Sequence, residues 1–199
     1  MGEFILSIIK VVAAIALVPI IIGSYIAFQS HLEMYPTGFQ DQFLAGIIIF
    51  LMVFLFLYQF WGIYEFGQKV MQSLTAFAEP FNHFIARLIP FYLTVTMLIF
   101  YIVRNIADFS KFENIFVLLA GFFLAMHITL TAQELREEEK TPIKPNYLFD
   151  VALIFILNIF LIVLLFDLVF EKFIFPRFFD EMFAQAKDLY QFSFDKILK

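Results

Sequence analysis

Five stretches of the chain are apolar over a length close to what a bilayer demands, three reaching it and two falling short, and most charged positions gather between them. A helix needs about 20 residues to cross a hydrocarbon layer of about 30 Å. The first stretch, VVAAIALVPIIIGSYIAF, lies between Lys10 and Glu33, an interval whose one acidic or basic residue is His31, and predicts a span near residues 4–28. Pro19 inside it predicts a kink, and Gly23 and Ser24 one turn on predict close approach of another helix.

The second stretch is uncharged from Gln42 to Tyr64 and ends in Tyr58, Trp61 and Tyr64, an aromatic cluster of the kind found at membrane–water boundaries. Polar positions Gln59, Gly62, Glu65, Lys69, Gln72 and Glu79 then recur at three- and four-residue steps, so a span near 42–64 is expected to continue as a helix to 79, where Pro80 stops it. Further spans are predicted near 82–107, 114–133 and 147–175. Two of these are short of charge-free length: 16 residues separate Arg87 from Arg104 and 16 separate Asp150 from Asp167. That is roughly 24 Å of helix.

Beyond Pro176 the period persists while the composition turns polar. Phe179, Met182, Phe183, Ala186, Leu189, Tyr190 and Ile197 share one predicted face, with Glu181, Gln185, Asp188 and Asp195 opposite. The pattern describes an amphipathic helix over 177–199, lying in the membrane interface or docked on a partner. The organisation expected is an all-α integral membrane protein, with a five-helix transmembrane domain at 1–176, an extended second helix and an amphipathic tail.

Composition sharpens this reading. Of 199 residues 62% are hydrophobic, 31 are Phe, and only 16% are charged, with mean hydropathy +0.88. Soluble domains carry about a quarter charged residues. The start MGEF has no basic region ahead of the apolar run, which favours a retained first helix over a cleaved leader. Cysteine is absent, removing disulfides, thiolate metal sites and thiol nucleophiles. A net charge of −5 leaves no basic stripe for nucleic acid.

Counting Lys and Arg favours an amino terminus on the inner side, where Lys10, Lys69, Arg87, Arg136, Lys140 and Lys144 gather against Arg104 and Lys111 opposite. The tail residues Lys172, Arg177, Lys187, Lys196 and Lys199 offset that balance if all lie outside.

Polar groups within the spans are the candidates for chemistry, because an ionisable side chain at bilayer depth costs about 2.5–3.5 kcal/mol. Arg87, Thr94, Tyr101 and Arg104 or Asn105 fall near a seven-residue step on the third span and describe a polar stripe. The plainer reading has both arginines snorkelling to opposite boundaries. On the fourth span His127, Thr131 and Glu134 share a face.

If the third span begins after Pro80, His83 and His127 fall at similar depth, so paired imidazoles could clamp the iron of a haem b with Arg87 near a propionate. A structural histidine, held by Thr131 or by a carbonyl on another helix, is the simpler alternative. Asn158 is expected to join helices, and Asp167 to pair with Arg104.

No phosphate loop, zinc-protease or nucleophile-elbow motif occurs, and no metal site is expected. The function expected is therefore a non-catalytic membrane subunit, in contact with lipids, that binds other membrane subunits through 65–79 and 177–199. The alternatives are a small ion or proton channel or transporter using Arg87, Arg104, His127, Glu134, Asn158 and Asp167, and a haem b redox subunit. A bacterial inner membrane or an organellar inner membrane is the expected setting.

Overall fold

The computed structural model describes residues 2–57, 60–106, 112–140 and 144–197. Among them there are helices and no strands: α1 (Gly2–Glu33), α2 (Phe39–Leu57), α3 (Trp61–Leu74), α4 (Asn82–Leu88), α5 (Phe91–Ile106), α6 (Glu113–Glu138), α7 (Pro145–Phe170) and α8 (Phe175–Ile197), with a 3-10 turn at Ala76–Ala78. Four helices are long and apolar enough to cross a membrane, and α4 with α5 makes a fifth, bent span. The chain is an all-α integral membrane protein.

Alternate spans run in the same direction. Phe43 meets Gly121, and Phe50 edge-packs on Phe122, so α2 and α6 are parallel. This pair is unusually close: a Cβ on Gly46 would stand 1.9 Å from the Leu118 carbonyl oxygen, and one on Gly121 would stand 2.0 Å from that of Phe43. Only glycine admits backbones that near. Likewise α1 follows α7, from Lys10 beside Asn146 at one end to His31 beside Asp167 at the other. α5 is antiparallel to α6, with Tyr92 stacked on Phe123 and Phe100 packed on Phe116.

The core lies where these directions converge, around Phe39, Phe43, Leu93, Phe100, Phe166 and Phe178. Around Phe166 the rings of Phe39 and Phe43 meet edge to face, an arrangement the aromatic quadrupole favours. Phe39, for example, lies 5.1 Å from both Phe166 and Phe170.

Four expectations are corrected. The second helix does not run on to 79. It ends at Leu57, and the separate α3 begins at Trp61. The cause is the amphipathic face of α3, whose Tyr64, Gly67, Gln68 and Met71 are buried. Gly67 closes on Tyr92, and the Tyr64 hydroxyl bonds to Thr131. A straight extension would leave that face without cover.

The third span is not continuous over 82–107 but broken between α4 and α5, at Ile89 and Pro90, with a bend of 63°. The fifth ends at Phe170 rather than at 175. There Glu171 adopts a left-handed conformation (φ 54) and the Lys172 N–H returns to the Asp167 carbonyl, a helix-ending motif.

The tail is the fourth. α8 is helical and amphipathic but does not lie across the end of the bundle: it turns back along α1. Phe178 packs on His31, Ser30 bonds to Glu181, Gly23 meets Met182 and Ala186, and Tyr190 bonds to the Ala16 carbonyl. Its buried stripe is Phe178, Met182 and Ala186, while Phe183, placed on the apolar face from sequence, is exposed. α1 passes unbroken through Pro19, and Gly23 does sit at a close helix approach, with α8 as the neighbour, while the buried Ser24 beside it bonds back to the Ile20 carbonyl. Tyr58, Gln59, Lys111 and Lys199 lie outside the described residues.

Candidate functional site: a broken helix at the centre of the bundle

Pro90 has no N–H to donate and disfavours helical geometry at the residue before it. Ile89 accordingly is extended (φ −91, ψ 116), and α4 stops at Leu88. In an unbroken helix the carbonyls of Arg87 and Leu88 would accept from the N–H groups four residues on. The bend takes those donors away.

Two side chains from other spans replace them. His127 on α6 donates its Nε2–H to the Arg87 carbonyl at 2.9 Å. Asn158 on α7 donates its Nδ2–H groups to the Leu88 carbonyl at 3.2 Å and to the Ile154 carbonyl at 2.9 Å. Both residues are buried. Asn158 lies near the middle of the charge-free run between Asp150 and Asp167, where no water is present to satisfy a backbone group. The structural alternative for His127, a carbonyl on another helix, is the one observed, and Asn158 joins α4 to α7 as its mid-span position predicts.

From the same break the Arg87 side chain reaches back toward the end of α6. Its Nη2 lies 2.9 Å from Glu134 Oε1, and it also pairs with Glu138. Tyr64 completes the group, donating to Glu134 Oε2 at 2.6 Å and bonding with Thr131 Oγ1 at 3.0 Å. Burial, reinforced by the bonded Glu134 carboxylate, pushes the Tyr64 phenol far above its ordinary range and keeps it a donor. α3, α4 and α6 are thus tied at one boundary by an arginine, two carboxylates and two hydroxyls.

The arrangement does not suit a haem clamp. His83 is exposed on α4, whereas His127 is buried with its Nε2–H committed to Arg87. The Arg87 guanidinium, the expected propionate partner, is committed to Glu134 and Glu138.

Arg104 also departs from its expected partner. It donates to the Val169 carbonyl at 2.6 Å and lies over the Phe170 ring, a helix-end carbonyl and a π-face replacing the carboxylate of Asp167. The polar stripe on the third span does not form a lining, since Tyr101 is exposed, Asn105 bonds back to the Tyr101 carbonyl and Arg87 sits beyond the bend. Among the described residues no group of three or more His, Cys, Asp or Glu is placed to hold a metal.

Asp167 instead anchors a second buried cluster, one that helical spacing did not foreshadow. Its Oδ1 accepts from the Tyr35 hydroxyl at 3.1 Å and lies 3.5 Å from His31 Nε2, while Oδ2 accepts the Phe175 N–H at 2.6 Å. A carboxylate at the first turn of α8 satisfies a donor that the helix cannot. Burial and this same carboxylate raise the Tyr35 phenol above its ordinary value. The signal available was His31 itself, the one acidic or basic residue between Lys10 and Glu33, with Tyr35 one turn beyond.

Comparisons with protein-family models, with curated proteins and with solved structures found no match.

Proposed function

We propose that this chain is a non-catalytic integral membrane subunit that assembles into and stabilises a larger membrane complex, with the outer face of α8 as its docking surface. The observation that carries the reading is the charge on that face. Arg177, Asp180, Lys187 and Asp188 are exposed and make no ion pair among the described residues. Yet α8 runs beside the 16–31 part of α1, level with the apolar centre of α7. Hydrocarbon is a poor cover for such side chains.

A second copy in the same membrane orientation would meet this one around an axis along the membrane normal, setting Asp180 toward Asp180 and Lys187 toward Lys187. A different chain, carrying basic groups opposite Asp180 and Asp188 and acidic groups opposite Arg177 and Lys187, fits the face better. The exposed Phe66, Leu74 and Phe77 around α3 give a second apolar contact region within 65–79. The setting proposed is a bacterial or organellar inner membrane with the amino terminus inside. The return of α8 supports that orientation by carrying Lys196 back toward the Lys10 end.

Purification in mild detergent tests the proposal: the chain is expected to travel with another membrane protein at stoichiometric yield. A stable monomer migrating alone would count against it.

A second reading, a small ion or proton channel or transporter, is favoured by the broken span, because interrupted helices line substrate sites in many transporters. Flux through reconstituted vesicles that His127→Ala alters while the variant stays folded is its expected signature. Vesicles without flux would retire it.

A further inference from the structure

The outer surface between α1, α2 and α6 is cut by an apolar groove of about 230 Å³, floored by the buried Phe28, Phe43, Leu124 and Ile159 and walled by Leu44 and Ile47. Along α2 it extends from Gln40 to Leu51, eleven helical steps, or about 16 Å of rise. Every lining helix is a membrane span. Protein interiors are close-packed, and apolar cavities stay dry. The fluid that meets this groove is lipid, so an extended hydrocarbon chain is the filling that both its chemistry and its length accept.

The groove does not end blindly. Gln40 and Leu32 also border a second cavity, of about 220 Å³, formed by the turn between α1 and α2. This one is polar and is bordered by Glu33, Thr37 and Asp41. Neither carboxylate makes an ion pair among the described residues. An apolar slot opening into an acidic pouch at the membrane boundary has the shape and polarity of an amphiphile lying along the span. The two carboxylates suit a cationic group, and Lys172, whose ammonium lies 5.9 Å from the ring of Tyr35, a residue on the border of the same cavity, sets a cation beside them, so the head they fit carries both signs.

We infer that this composite site binds one zwitterionic phospholipid, with an acyl chain in the α1–α2–α6 groove and its ammonium group against Glu33 and Asp41. The inference stands apart from the subunit proposal, because the groove lies on helices other than α8.

Native mass spectrometry of the purified full chain, after exchange into an equimolar mixture of ethanolamine and glycerol phospholipids of identical acyl chains, tests it. One retained lipid per chain is expected, with the ethanolamine form favoured about three- to tenfold, the range that two boundary charges supply. Ala125→Phe, which fills the groove wall, should lose the retained lipid. Glu33→Gln with Asp41→Asn, both on the surface, should keep a lipid but bring the ratio close to one. Equal retention by the wild-type chain and Ala125→Phe would overturn the groove. No preference in the wild-type chain, a preference for the glycerol form, or a preference that survives the double substitution would overturn the headgroup assignment.

Discussion

The imidazole Nε2 of His127 lies 2.9 Å from the carbonyl oxygen of Arg87, and this bond closes a gap that Pro90 opens three residues further on. Without it a backbone carbonyl would face the bundle centre with no donor, a condition that costs about 1–3 kcal/mol.

His127→Ala should therefore destabilise the chain by about 1–2 kcal/mol, near the upper range for polar contacts between membrane helices. Asn158→Leu should act in the same direction, because Leu88 loses its partner. Reversible unfolding in mixed detergent micelles measures both. Variants as stable as the wild-type chain would mean that the break needs neither cap.

Arg87 and Glu134 should be strongly coupled. Their side chains are 22% and 25% exposed, too sheltered for full screening and too open for the full penalty of a buried charge. A double-mutant cycle with Arg87→Met and Glu134→Gln is expected to give a coupling of about 1–2 kcal/mol. Additive effects would show that the pair contributes nothing as a pair.

The tightest helix crossing gives a sharper expectation. Gly121→Ala puts a methyl group 2.0 Å from the Phe43 carbonyl oxygen, backbone that cannot swing aside. Loss of about 2–3 kcal/mol is expected, at the upper end for overpacking. Gly62→Ala meets nothing within 4 Å and serves as the control. Equal unfolding midpoints for the two variants would contradict the α2–α6 packing.

The spans themselves were legible because lipid imposes a simple rule on composition: VVAAIALVPIIIGSYIAF and LAGIIIFLMVFLFL leave few alternatives to a crossing. Pro90 was visible too, but its consequence was not. A proline tolerated within a span needs partners for the carbonyls that it strands, and those partners, His127 and Asn158, lie 37 and 68 residues away in sequence. Periodicity placed each of them on its own helix and could not say what it faced.

The tail failed for a related reason. Its amphipathic pattern fits a membrane surface and a helix-lined groove equally well. What decides between them is the side of α1 that carries Gly23 and Ala27, small enough to admit Met182 and Ala186. Arg104 and Asp167 fall at the same boundary by spacing, which predicts a pair, whereas the carboxylate meets Tyr35 and the turn at Glu171 brings the start of α8 back to it.

That turn makes Asp167 the residue that holds α8 in place. The chain has no cysteine, so a pair introduced as Ser30→Cys and Glu181→Cys, at side chains that hydrogen-bond at 2.6 Å, should be joined by a short bifunctional thiol reagent. Adding Asp167→Ala should lower the yield several-fold by freeing the Phe175 N–H and the Tyr35 hydroxyl. An unchanged yield would show that α8 is held by its apolar stripe alone.

The most direct measurement concerns the outer face of α8. The substitution Lys187→Cys introduces a single thiol there, which a water-soluble maleimide can probe first in native membranes and then in the purified chain stripped of other proteins. If another chain covers this face, the introduced thiol is protected in membranes and reacts after purification. Rapid, equal labelling in both states would mean that the charged face is bathed in water and has no partner.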